Sequence, residues 1–125
     1  WSDIDMYQHV NHATMVTILE EARVPFLTEP FAEDVATTGL LIAEVNVKYK
    51  DQLRLVDSPL QVTIWTNRLR ACDFTLGYEV RSAHADPDSK PAVIGETQLA
   101  TFNIERQMLV RIAPHQREYL QRFAR

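Results

Sequence analysis

The chain has 125 residues, of which 46% are hydrophobic and 24% are charged, and 13 basic against 17 acidic side chains give a formal net charge of −4. This composition is typical of one globular domain with a substantial core. The acidic balance argues against a nucleic-acid partner, which normally needs a basic face. Cys72 is the only cysteine, so a reducing, cytoplasmic location is expected. No apolar run approaches the roughly 20 residues of a membrane span, so no membrane partner is expected.

The first predicted element is a helix that begins after Asn11. Its apolar positions recur at i, i+4, i+7 and i+11, which is the spacing of one helix face. They are Met15, Leu19, Ala22 and Phe26. Asn11 is the predicted N-cap, because its side-chain oxygen can accept a bond from an N–H two or three residues on. Pro25 lacks an N–H, so the helix is expected to end or kink near Val24, and residues 28–39 have the composition of a loop.

After Gly39 the apolar period changes from 3.6 to 2, which predicts β-strands. The four predicted strands are residues 41–50, 60–65, 74–81 and 92–104. Because no helix separates them, the sheet is expected to be antiparallel. A short helix from Pro114 ends the chain. The predicted fold class is α+β, with one long helix against a curved antiparallel sheet. Several strands carry apolar residues on both faces, and one helix covers one face only, which favours a homo-oligomer.

The segment DIDMYQHVNH, residues 3–12, gathers acid–base and hydrogen-bonding side chains just before the predicted helix. From spacing alone Asp5 is best interpreted as a turn former, because aspartate often bonds its own backbone in loops. Asp5, His9 and His12 are also candidate metal ligands, since zinc accepts such side chains. The segment offers no cysteine and no further paired histidine, so neither a metal nor another cofactor is expected.

Together with the following helix, this segment resembles a known family. The sequence WSDIDMYQHVNHATMVTILEEAR, followed by four long strands, is similar to the hotdog-fold acyl-CoA thioesterases of the 4-hydroxybenzoyl-CoA thioesterase type. The sharpest match is D-x-D-x-x-x-H-V-N, here Asp3–Asn11, leading into a helix with E-x-A-R, here Glu20–Arg23. NVKYKDQLRLVD and FNIERQMLVRIAP also fit the family pattern. Where the family usually has another asparagine, this chain has His12.

The resemblance implies a single hotdog thioesterase-like domain over residues 1–125, in homodimers or homotetramers with active sites at the dimer interface. It implies hydrolysis of an acyl-CoA, or of an acyl-carrier-protein thioester, to free acid and thiol. Asp5 matches the catalytic carboxylate, as general base or nucleophile, and the backbone N–H at His12 matches the oxyanion donor. His9 is a candidate for orienting the substrate carbonyl, and Asn11 for combining its cap with a catalytic contact.

Alternatives remain for the catalytic carboxylate and for the function. Glu20 and Glu21 are runner-up catalytic carboxylates, although a solvated face with Glu20 paired to Arg23 is the more economical interpretation. Arg23 falls near the apolar stripe and should need a polar partner if it is buried. The alternative functions are a non-catalytic hotdog protein that binds acyl-CoA or an acyl chain, and a hotdog hydratase or dehydratase.

Overall fold

The computed structural model describes residues 10–32, 38–54 and 59–125 of the chain. These residues form two helices and five strands. In chain order they are α1 (His12–Phe31), β1 (Thr38–Tyr49), β2 (Gln61–Leu69), β3 (Asp73–Arg81), β4 (Val93–Asn103), β5 (Met108–Leu109) and α2 (Pro114–Arg122). The four predicted strands and both predicted helices are therefore present, and the two-residue β5 is an addition.

The helix α1 is longer than predicted, because it continues through both Pro25 and Pro30 to Phe31. The prediction of an end near Val24 is wrong, and residues 28–31, predicted as loop, belong to the helix. Pro25 lies on the exposed face of α1, where water can satisfy the carbonyl that its missing N–H leaves open. At Pro30 the hydroxyl of Tyr119 on α2 replaces the missing donor, because it donates to the Phe26 carbonyl.

The sheet has the order β1-β4-β3-β2, and every neighbouring pair is antiparallel, as expected. The short β5 adds to β4. β1 and β2 are consecutive in the chain but lie at opposite edges of the sheet. The α+β class is confirmed.

The core lies between α1 and one face of the sheet. On β3 the large apolar residues alternate along the strand, as the period of two predicts; they are Phe74, Leu76, Tyr78 and Val80, and all four are buried. Thr75 and Gly77 between them are buried as well. On α1, Met15, Leu19 and Leu27 are buried against this face. A Cβ added at Gly95 would lie 2.9 Å from the Leu19 side chain, so glycine at this position of β4 lets the helix approach the sheet closely.

Part of the apolar surface stays uncovered in the single chain. On β1, which is an edge strand, Leu41, Ile42 and Val45 are each between 43% and 48% exposed. No helix within the described ranges is long and apolar enough to cross a membrane.

Candidate functional site

The start of α1 is built by the predicted cap. Asn11 is the N-cap, and its Oδ1 accepts a hydrogen bond of 2.8 Å from the backbone N–H of Thr14. The Asn11 carbonyl accepts from the N–H of Met15 at 3.1 Å. The N–H groups of His12 and Ala13 come earlier in the turn and have no acceptor among the residues that the structure describes. Because the helix dipole is positive here, these two N–H groups are suited to an anionic oxygen.

The last residue of β1 fixes this helix start. The hydroxyl of Tyr49 donates a 2.8 Å hydrogen bond to the backbone carbonyl of His12. The ring of Tyr49 also meets the imidazole of His12 edge to face, at a centroid distance of 6.4 Å. Partial burial raises the pKa of Tyr49 above its ordinary value of 10.0, so the hydroxyl keeps its proton and donates at neutral pH. Since the His12 carbonyl and the Ala13 N–H share one planar peptide group, Tyr49 orients that N–H.

A cavity of about 290 Å³ opens at the helix start. Its lining comes from the beginning of α1 and from the chain that follows β1. The lining residues are Val10, Asn11, His12, Met15, Tyr49, Asp51, Gln52, Leu53 and Val93. A hydrogen bond of 2.8 Å from the Val10 N–H to the Leu53 carbonyl joins its two sides. The cavity therefore combines an apolar floor with helix N–H donors and the exposed carboxylate of Asp51.

Of the four predicted site residues, the structure brings two together. Asn11 and His12 both line the cavity at the helix start, and Asn11 is the cap that was predicted. Asp5 and His9 lie outside the described residues, so their roles stay predictions. The sequence did not predict that Tyr49 and Asp51 border this cavity. The signal available for them was their position at the end of β1, but only the fold shows that this end meets the start of α1.

The runner-up carboxylates stand apart from this cavity. Glu20 and Glu21 are both exposed on α1. The predicted pair between Glu20 and Arg23 is wrong, because the guanidinium turns inward and its Nη1 donates to the hydroxyls of Tyr78, at 3.3 Å, and Thr97, at 3.5 Å. Arg23 thus does find polar partners in the helix–sheet interface, and they are neutral ones.

Within the described ranges, no group of three or more histidine, cysteine, aspartate or glutamate side chains comes together as a metal site would require. Of the three candidate metal ligands in the sequence, Asp5 and His9 lie outside those ranges.

Several solved structures share the fold of this chain. PA5185 from Pseudomonas aeruginosa strain PAO1 has a TM-score of 0.85 at 17% identity, over 99% of this chain and 85% of that one. YbaW, a probable thioesterase from Escherichia coli, has a TM-score of 0.82 at 22% identity, over 99% and 92%. The DHNA-CoA thioesterase from Staphylococcus aureus has a TM-score of 0.79 at 17% identity, over 98% and 83%. The fold is therefore the predicted hotdog.

The family follows from the sequence itself. Residues 1–122 match the model of the thioesterase-like superfamily, and the chain belongs to that superfamily. It is accordingly a thioester hydrolase by family, as its resemblance implied. No curated protein sequence matches this chain significantly.

Proposed function

We propose that this protein is an acyl-CoA thioesterase, which hydrolyses an acyl thioester to a free acid and a thiol. The observation that carries the proposal is the start of α1, where two N–H groups without an acceptor in the described chain border a cavity of about 290 Å³. A thioester carbonyl placed there would receive donors where negative charge develops. One such donor typically contributes about 3 kcal/mol to the transition state.

The second requirement is a group that activates water or attacks the carbonyl. We assign it to Asp5, which matches the catalytic carboxylate of the hotdog family and precedes the helix start by seven residues in the chain. As general base it would take a proton from water, and as nucleophile it would form a mixed anhydride. His9 would help to orient the substrate carbonyl. The thiolate is a good leaving group, so its departure needs no further catalyst.

We propose an acyl-CoA as the substrate. An acyl-carrier-protein thioester contains the same thioester bond and is the alternative substrate. The gentisyl-coenzyme A thioesterase BH1999 and the DHNA-CoA thioesterase share the fold, and each of their names specifies a coenzyme A thioester. We further propose a homodimer or homotetramer in the cytoplasm, supported by the exposed apolar residues of the edge strand β1 and by the single thiol.

The assignment of Asp5 is tested by comparing Asp5→Asn with Asp51→Asn. Asp51 is the control, because its exposed carboxylate lines the same cavity. Thiol release is measured with a series of acyl-CoA substrates of different chain length. We expect Asp5→Asn to lower kcat by about 10²- to 10⁴-fold, the usual contribution of a general base. Asp51→Asn should lower kcat by far less than this range.

A fully active Asp5→Asn enzyme would refute the assignment, and an inactive Asp51→Asn enzyme would move the catalytic carboxylate to residue 51. Tight binding of acyl-CoA with no turnover by the wild type would favour the non-catalytic binding protein. Hydration or dehydration of the acyl chain without thiol release would favour the third reading.

Tyr49 is expected to act as a positioning residue in this reaction. Tyr49→Phe removes the hydrogen bond to the His12 carbonyl and leaves the ring in place. Because that bond orients the Ala13 N–H, we expect kcat to fall by about tenfold, roughly half the logarithmic effect of losing one oxyanion donor, with little change in KM. An unchanged kcat would show that Tyr49 does not position the donor. A rise in KM with no change in kcat would show the same.

A further inference from the structure

The chain after α2 returns to the edge strand β2. The backbone N–H of Thr66 donates a 3.0 Å hydrogen bond to the carbonyl of Phe123, and Ala124 forms a parallel bridge with Thr66. The ring of Phe123 packs against Phe26 of α1, at a centroid distance of 5.4 Å. Residues 123–125 form what we call the strap. Because β2 lies at the edge of the sheet, the strap occupies backbone groups that an edge strand otherwise leaves open to another chain.

The side chain of Arg125 holds the strap against two strands. Its guanidinium lies 3.9 Å from the ring centroid of Trp65 on β2, and its Nη2 donates a 3.0 Å hydrogen bond to Glu79 on β3. The Glu79 side chain is 16% exposed and also pairs with Arg81 at 3.4 Å. A stacked cation and a charge-assisted hydrogen bond both stabilise one position of this guanidinium, so the strap has a defined place on the sheet.

Gly77 allows the ring of Trp65 to lie where Arg125 stacks on it. Trp65 and Gly77 are opposite each other in the pairing of β2 with β3. A Cβ added at Gly77 would lie 2.5 Å from the Trp65 ring, far inside the roughly 3.5–4.0 Å at which carbon atoms attract each other. A side chain at residue 77 would therefore displace the indole, and with it the surface that the guanidinium contacts.

The sequence of β2 lacks the usual protection of an edge strand. Natural edges are commonly protected by charged side chains, by proline or by a bulge. Residues 61–66, QVTIWT, contain no charge and no proline, and the register shift of β2 comes only after Thr66. Four of these six residues are β-branched and one is tryptophan, a composition that favours pairing with a further strand. Within the described chain, the strap is therefore the feature that covers this edge.

We propose that the strap prevents β2 from pairing with β2 of a second copy of this chain. Two identical antiparallel edges can join about a two-fold axis and so extend the sheet. At the opposite edge, β1 exposes apolar residues, whereas β2 is covered. With both edges open, copies would add to one another without closing, so the covered edge limits assembly to the other surfaces. This role of the strap is independent of thioester hydrolysis.

The test is sedimentation of variants that carry Val45→Lys, which removes the association expected through β1. In this background Arg125→Glu places a carboxylate beside Glu79 and should release the strap. We expect the Arg125→Glu protein to associate further as its concentration rises through the micromolar range, although it carries more negative charge. Arg106→Glu is the matched control, because it makes the same change of charge in an exposed turn and should sediment like the background.

Hydrogen exchange at the Thr66 amide reports on the strap directly, because this N–H is bonded to the Phe123 carbonyl. In dilute protein, Arg125→Glu should speed the exchange by at least about fivefold, the combined effect of losing an exposed ion pair and a cation–π contact. Gly77→Ala displaces the Trp65 ring without changing the charge and should increase both exchange and association. It provides the same test if the Arg125→Glu protein does not fold.

Three results would overturn the proposal. Faster exchange at Thr66 without added association would show that the uncovered edge does not pair. Unchanged exchange would show that Arg125 does not hold the strap in place. Equal association of the Arg125→Glu and Arg106→Glu proteins would show an effect of charge alone.

Discussion

The hydroxyl of Tyr119 replaces a hydrogen-bond donor that Pro30 removes from α1. Pro30 has no N–H, so the carbonyl of Phe26, four residues earlier, loses its helical donor. Tyr119 on α2 donates to this carbonyl at 2.6 Å. Burial raises the pKa of Tyr119 above 10.0, so the hydroxyl remains a donor throughout the neutral range. Tyr119→Phe should therefore leave a partly buried carbonyl without a partner.

The size of the effect can be worked out from this contact. The phenylalanine ring keeps the apolar burial and the packing on Phe26 and Phe123, whose ring centroids lie 5.5 and 5.0 Å from that of Tyr119. The remaining loss is that of one unsatisfied acceptor, about 1–3 kcal/mol. With an unfolding entropy of roughly 2.1 cal/mol/K per residue, a domain of this size should lose about 4–11 °C in Tm.

The assay is thermal and urea unfolding of a double-mutant cycle with Pro30→Ala. Alanine restores an N–H at residue 30, which can donate to the Phe26 carbonyl within the helix. In that background Tyr119→Phe should cost less by at least about 1 kcal/mol, because the acceptor is no longer left open. An equal cost of Tyr119→Phe in both backgrounds would refute the reasoning, since the hydroxyl would then not be replacing the missing helical donor.

Two further predictions concern the sheet. The pKa of Glu79 lies below its ordinary value of 4.5, chiefly because Arg125 donates a hydrogen bond to its carboxylate; the stability it adds is therefore present above about pH 4.5 and is lost as the pH falls through the lowered pKa. Glu79→Gln should lower Tm at pH 7 but not near pH 2, and a deficit independent of pH would contradict this. Sedimentation at micromolar concentration should show that the wild type is a dimer or tetramer. Val45→Lys on β1 should weaken this association, whereas the control Thr63→Lys on β2 should not. A monomeric wild type would contradict the proposed oligomer.

The sequence was most informative where one periodicity covers a whole element. The period of two predicted β3 closely, because its alternate residues from Phe74 to Val80 are all buried. Asn11 was predicted as the cap because capping depends on a neighbour three residues away. The end of α1 could not be predicted this way. Proline normally stops a helix, and here the tertiary donor from Tyr119 and an exposed carbonyl at the other proline let it continue.

The candidate site was only partly predictable for a similar reason. Asn11 and His12 stand next to each other in the chain, and their motif points to a helix start. Tyr49 follows His12 by 37 residues, and its contact with His12 exists only because β1 runs back along α1. Arg23 was expected to pair with its neighbour Glu20 on the helix surface. It turns inward instead, since its long side chain reaches the hydroxyls of β3 and β4.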